Sequence, residues 1–187
     1  MSILPFYFDF DIPLMNILNN RYLFDEKATA EAHDADGYFK SGDIVRREGQ
    51  YYFILGRASI DIIKSGGYKI SALDIEREIL GLDYVSEVMV VGVEDEEYGQ
   101  RVAATVSLKA DQYLTRASLT LAELREDLQS KLTGYKMPTI LRVIKGEIPK
   151  SGSGKVQKKI LGPQFFPPNY NELPDMQVWS RKKTAKL

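Results

Sequence analysis

Residues 85 to 109 hold two β-rich runs, VSEVMVVGV and RVAATVSLK, separated only by the acidic turn EDEEYGQ. Valine-dense segments joined by so short a turn should pair, and the second alternates Val102, Ala104, Val106 and Leu108 on one face. Helical patterns stand on either side of the pair. Ser71 can N-cap a helix whose Asp74 lies three residues on and whose Leu73, Ile75, Ile79 and Leu80 face inward as far as Leu82. Thr120 with Glu123 makes a capping box that opens LAELREDLQSKL, where Leu121, Leu124, Leu128 and Leu132 recur at helical spacing.

The rest of the chain is arranged around this core. Residues 21 to 36 are charged, alanine-rich and helix-like, stopping at Gly37. YFKSGDIVRREGQYYFILGR reads as two short strands around a turn at Glu48 and Gly49, with Tyr51, Phe53 and Leu55 on one face. The region 57 to 70 ends in the turn Gly66-Gly67, and TILRVI predicts another strand. Beyond Gly162 there are several prolines and no period, which predicts a mostly extended or disordered tail over 163 to 187. The pattern is that of an α+β domain, helices packed on a small sheet, preceded by a β-hairpin piece.

Composition excludes several functions. With 25 basic and 26 acidic residues the net charge is -1, so no global field draws the chain to nucleic acid or to an anionic membrane. The absence of cysteine removes disulfides, thiolate metal sites and cysteine nucleophiles, and the single histidine, His33, removes His-rich zinc sites. His33 sits in the polar run AEAHDADG and is expected to be an exposed helix-end residue. No metal site is expected. No apolar run approaches the roughly 18 residues of a membrane span. The first 20 residues carry Asp9 and Asp11 and no Lys or Arg before Arg21, unlike a secretory or transit peptide, which favours the cytoplasm with no recognisable targeting segment.

The chemistry concentrates in IPKSGSGKVQKKIL, residues 148 to 161. Glycines ahead of Lys155 suggest a phosphate-binding lysine, yet the P-loop pattern fails: its first glycine position holds Pro149, which lacks an amide hydrogen, and its hydroxyl position holds Val156. From Arg142 to Lys159 there are Arg142, Lys145, Lys150, Lys155, Lys158 and Lys159 against the single acid Glu147, which favours an anionic ligand.

Three segments in fixed order, GYFKSGDIV (37 to 45), GRASIDIIKSGGYKISALDIEREI (56 to 79) and IPKSGSGKVQKKIL, together resemble the last three core motifs of the adenylate-forming superfamily: acyl-CoA synthetases, luciferases and peptide-synthetase adenylation domains. The resemblance covers about residues 21 to 162. It implies the small C-terminal domain of the adenylate-forming fold over 57 to 162, preceded at 21 to 56 by the end of the large AMP-binding domain. Residues 1 to 20 do not match. The wording IDIIKSGGYK is most similar to the malonyl-CoA synthetase (acyl-CoA synthetase family member 3) branch.

The resemblance implies a reaction: Mg-ATP activates a carboxylate, here malonate or a related acid, to an acyl-adenylate, and the C-terminal domain then rotates so that coenzyme A takes the acyl group. Lys155 matches the lysine that serves the adenylation step, Asp43 the carboxylate that accepts the ribose hydroxyls, and Arg57 a nucleotide-contacting arginine. Ser65, Gly66, Gly67 and Lys69 match the loop lining the CoA tunnel. The hinge is left open between Ser59 and Asp61, because one residue is inserted relative to many relatives. The large domain's Ser/Thr/Gly-rich phosphate loop and acyl pocket do not appear in these residues, so the expected identity is a C-terminal portion, unlikely to be active alone. The alternative is a non-enzymatic nucleotide- or CoA-binding or regulatory module derived from that domain, or a small interaction domain.

Overall fold

The computed structural model describes residues 22–35, 37, 39–112 and 119–180, with the backbone of Leu4–Pro5. The chain divides into two compact units, Met1–Ser59 and Ile60–Leu187.

The smaller unit is a β-hairpin of β2 (Asp43–Glu48) and β3 (Tyr51–Arg57), with β1 (Leu4–Pro5) antiparallel to β2. The expected face of Tyr51, Phe53 and Leu55 does not form: Leu55 is buried, whereas Tyr51 and Phe53 are exposed. Arginines occupy the turn end instead. Arg46 stands opposite Phe53 and Arg47 opposite Tyr52, each guanidinium over its partner's ring at 5.4 and 5.6 Å. Such pairs stabilise an exposed ribbon by about 0.5–1 kcal/mol each.

Helix α1 (Glu26–Glu31) opens at Asp25, whose carboxylate accepts the Ala28 N–H at 2.8 Å. It is shorter than the alanine-rich run because the chain turns back after Ala32, and His33 bridges to Phe39. His33 is therefore half-buried rather than exposed, edge-on to Phe39 at 5.6 Å with its Nδ1 2.7 Å from the Thr29 carbonyl.

The larger unit begins with the hairpin β4 (Ile62–Ser65) and β5 (Tyr68–Ser71), then α2 (Ala72–Leu80), β6 (Val85–Asp95) and β7 (Gly99–Leu108). After α3 (Leu121–Asp127) come β8 (Ile140–Ile144), α4 (Lys158–Phe165) and β9 (Met176–Val178). β7 is the axis: β6 pairs antiparallel on one edge, β8 parallel on the other, and β4 touches its start at Gly99. The capping signals are realised. Ser71 Oγ accepts the Asp74 N–H at 3.1 Å, and Thr120 and Glu123 form a reciprocal box, each such cap contributing about 1 kcal/mol. In α2, Ile75 and Ile79 are buried, whereas Leu73 is half-buried and Leu80 is 50% exposed, because only the i,i+4 pair points at the sheet.

The sheet is covered on both faces. Val102, Ala104, Val106 and Leu108 of β7 pack with Ile75 and Ile79 of α2 and Leu121 and Leu124 of α3. The opposite face presents Met89, Val91, Ala103 and Ile140 to Ile148, Leu161, Phe166 and Tyr170. Every β7 side chain from Val102 to Leu108 is buried, so the alternation seen in the sequence marks only one of two cores.

The second cover corrects the expected tail over residues 163 to 180; residues 181 to 187 of that expectation lie outside the described residues. Residues 163 to 180 are ordered structure: they complete α4, form a 3-10 turn at Tyr170–Glu172 and add β9 antiparallel to β8. Prolines interrupt the period there without preventing burial, since Phe166 and Tyr170 are anchored one at a time. Polar contacts fix the segment. Arg142 Nε meets Asp175 at 2.8 Å, Gln177 donates to the Leu119 carbonyl at 2.9 Å, and Arg101 donates to the Trp179 carbonyl at 2.7 Å. The larger compact unit thus extends past Gly162.

If this segment is core, Phe166→Ala should lower the unfolding free energy in urea by about 3–5 kcal/mol, as for a buried aromatic. Gln164→Ala, exposed on the same helix, should change it by less than about 0.5 kcal/mol. Equal, negligible effects would return the tail to an extended chain.

Candidate functional site

In the smaller unit, Asp43 and Arg57 are register partners at the end of the hairpin away from its turn. Arg57 Nε lies 3.6 Å from Asp43 Oδ1, with the arginine side chain 65% exposed and the aspartate 26%. An ion pair this open contributes little to stability, and its charges stay accessible to a polar ligand. Ser59, one of the two expected hinge positions, is the last residue of this unit.

The turn Ser65 to Tyr68 joins β4 to β5 through Gly66 and Gly67, at φ +55° and +82°. Two successive positive φ values define the type I′ turn that matches strand twist, and side chains adopt them at a cost. The Gly66 N–H donates to the Tyr98 carbonyl at 2.9 Å, which ties the turn to the β6–β7 loop. A Cβ at Gly66 would meet Tyr98 Cδ1 at an ordinary 3.6 Å, and one at Gly67 would meet nothing within 4 Å. Backbone conformation therefore explains both glycines within this unit. Beside the turn, the exposed Tyr68 ring stacks on Tyr135 at 4.3 Å, and Lys69 is exposed.

Lys155 stands on an exposed loop that runs from β8 to α4. Lys150 and Val156 bridge antiparallel at its base. Ser151 N–H donates to the Lys155 carbonyl at 2.9 Å, Gly154 N–H to the Ser151 carbonyl at 2.8 Å, and Gly154 has φ +77°. Gly152 has open space around it and no positive φ.

The local excess of basic residues is largely neutralised by acids from elsewhere in the unit. Lys150 pairs with Glu87 of β6, whose other oxygen accepts the Ile148 N–H at 2.7 Å. Burial pushes the Glu87 carboxyl up, but the hydrogen bonds from Lys150 and Ile148 outweigh it and hold the group below the usual carboxylate range. Arg142 is taken by Asp175.

Lys158 has two partners, Asp61 at 2.7 Å and Glu76 at 2.9 Å, with all three side chains at most 13% exposed. Glu76 Oε1 also accepts the Val90 N–H at 2.7 Å. Burial pushes the Glu76 carboxyl up, the attraction of Lys158 opposes this, and the result is a raised pKa. Among the described residues no carboxylate stands within ion-pair distance of Lys155. The structure thus places Asp61 in a buried cluster with Lys158, three residues beyond Lys155.

Glu76, Glu87 and Lys158 were not singled out from sequence. An acid inside an apolar strand, as Glu87 is in VSEVMVV, was the available signal; Lys158 is indistinguishable from Lys159 in a linear reading. Among the described residues no group of three or more Asp, Glu or His side chains is placed to hold a metal ion.

Residues 74–155 match the family model described as AMP-binding enzyme C-terminal domain. A protein of Xenopus laevis named malonate–CoA ligase ACSF3, mitochondrial, is 44% identical over 139 residues, which are 74% of this chain and 23% of that protein. A CoA ligase of Gibberella moniliformis is 41% identical over 160 residues, 78% of this chain and 26% of its own. The solved structure of ATP-bound MatB from Rhodopseudomonas palustris aligns with a TM-score of 0.62 at 30% identity, over 74% of this chain and 26% of that one. The chain spans about a quarter of the length of these relatives.

Two outcomes test the local chemistry. Because the folded pKa of Glu76 is raised, its contribution is favourable below the unfolded carboxylate value and is lost as pH rises through the folded one. Glu76→Gln, which keeps an acceptor for Val90, should therefore match or exceed the parent in urea midpoint at neutral pH, and that advantage should vanish at acid pH. A growing advantage on acidification would reverse the sign. At the turn, Gly66→Leu should destabilise by about 1–2 kcal/mol, and Gly66→Asn, which tolerates positive φ, by well under about 1 kcal/mol, both read from melting curves.

Proposed function

We propose that this chain, whose residues 74–155 match the AMP-binding enzyme C-terminal domain model, is the C-terminal portion of an ATP-dependent acyl-CoA synthetase acting on malonate or a closely related acid. The reaction has two steps. A substrate carboxylate oxygen attacks the α-phosphorus of ATP, the bond to the bridging oxygen breaks and pyrophosphate leaves; the thiol of coenzyme A then attacks the acyl carbon and AMP leaves.

The observation that carries the reading is the division of labour among three lysines. Lys150 and Lys158 are engaged by carboxylates and hold the segment, while Lys155 between them projects with no carboxylate partner among the described residues. A cation held ready at the α-phosphate stabilises charge that grows in the transition state without having to be released from a partner first.

In this reading Asp43 accepts hydrogen bonds from the ribose hydroxyls, and Arg57, 3.6 Å from it, contacts the nucleotide. Ser65, Gly66, Gly67 and Lys69 border the path of the pantetheine arm, with Lys69 available to a CoA phosphate. The engagement of Asp61 with Lys158 supports Ser59 as the pivot, since a hinge residue has to change conformation and Asp61 is held by a buried ion pair. Mg2+ would accompany the triphosphate, and we derive no step through it from these residues. Among the described residues no helix is long and apolar enough to cross a membrane. A mitochondrial setting, as the name of the Xenopus relative has it, is our reading of location.

The test joins this chain to the large domain of a malonate–CoA ligase relative. Lys155→Ala should slow malonate-dependent pyrophosphate release by about a hundredfold to a thousandfold, the loss of one preorganised charge partner, and leave thioester formation from supplied malonyl-adenylate nearly intact. Equal loss of both half-reactions would make Lys155 a structural residue.

A further inference from the structure

Helix α4 begins three residues after Lys155, and its start is not explained locally. Gln157 at the N-cap makes no side-chain capping bond, no acid lies in the first turn, and the first two helical residues are Lys158 and Lys159. Cations at a helix N-terminus oppose the macrodipole. What supplies negative charge there is remote in sequence: Asp61, the second residue of the larger unit, and Glu76 of α2, both on Lys158 Nζ. The cluster carries one positive against two negative charges in a nearly dry site. A buried arrangement of that kind is a poor stabiliser compared with apolar packing, and its attested use is to specify one geometry.

The other end of the loop is held in the same manner. Glu87 grips both Lys150 Nζ and the Ile148 N–H, and Ile148 is buried. We propose that Lys158 is a positioning residue for Lys155: its bonds to Asp61 and Glu76 clamp the far end of the loop to the segment that opens the unit at Ile60, so that Lys155 is carried as a rigid extension of that segment. The role assigned to Lys155 rests on the adenylation reading above; the clamp itself does not. Whatever turns the unit at Ser59 is then transmitted through Asp61 to the lysine rather than absorbed by a slack loop.

Residue-resolved hydrogen exchange on the 187-residue chain separates the two claims. In Lys158→Met the amides of Gly154, Lys155, Ile160 and Leu161 should exchange at least about tenfold faster while the β6–β7 ladder keeps its parent rates, as for local rather than global opening. Lys158→Arg, whose fork can serve both carboxylates, should restore the loop to within about threefold. Unchanged loop exchange in a folded Lys158→Met overturns the proposal, and so does equal acceleration of loop and ladder, which would mark a general fold element. Should Lys158→Met not fold, Asp61→Asn leaves a one-to-one pair with Glu76 and should give the same selective acceleration, about threefold; its absence likewise overturns the clamp. None of these readouts depends on ligase activity. In the joined ligase, Lys158→Met should lower pyrophosphate release about tenfold and spare thioester formation, the sign of a misplaced cation. Loss of both steps together contradicts positioning, whereas a silent Lys155→Ala beside a loosened loop would sink the adenylation reading alone.

Discussion

Burial of β7 on both faces is the constraint from which the larger unit follows. A strand with Val102 to Leu108 wholly buried requires a neighbour on each edge and a cover on each side. β6 and β8 supply the edges, α2 and α3 one cover, and Ile148, Leu161, Phe166 and Tyr170 the other. The second cover matters most for the site, because the Lys155 loop is spanned by two of its members: Ile148 enters the core just before the loop and Leu161 just after it. Lys155 is thus suspended between two apolar anchors, with ion pairs at Lys150 and Lys158 on either side of it.

The central hairpin and both capped helices were legible because each had a local cause: β-rich runs joined by a short turn, Ser71 three residues ahead of Asp74, Thr120 three ahead of Glu123. What was illegible depended on partners far along the chain. The tail lacks a period because its anchors reach the sheet individually, and strand β9 is only three residues long. Leu80 was read as inward by spacing, yet α2 ends there and the side chain is 50% exposed. The alternation of Tyr51, Phe53 and Leu55 failed for a related reason, since cross-strand arginines cover the exposed aromatic rings.

The candidate site divides in the same way. Lys155, Asp43, Arg57 and the Gly66-Gly67 turn were visible as motif positions, and the turn's two positive φ values give its glycines a cause independent of any ligand. The excess of basic residues from Arg142 to Lys159 was read as a field for an anion. Structure reduces that field by pairing Arg142, Lys150 and Lys158 with acids from residues 61, 76, 87 and 175, none of them within the run. A linear charge count cannot see this, because ion pairing is decided by the topology that brings Asp61, Glu76 of α2, Glu87 of β6 and Asp175 to these basic side chains.

The central claim is that, of Lys150, Lys155 and Lys158, Lys155 alone has no carboxylate partner among the described residues. Its most direct measurement is the rate at which a limiting amine-acylating reagent labels each lysine of the folded chain, read by mass spectrometry. Lys155 should label faster than Lys150 and Lys158, with Lys158, ion-paired and 10% exposed, at least about tenfold slower than Lys155 and Lys150 between them. Labelling of Lys158 as fast as Lys155 in the folded chain would contradict the account.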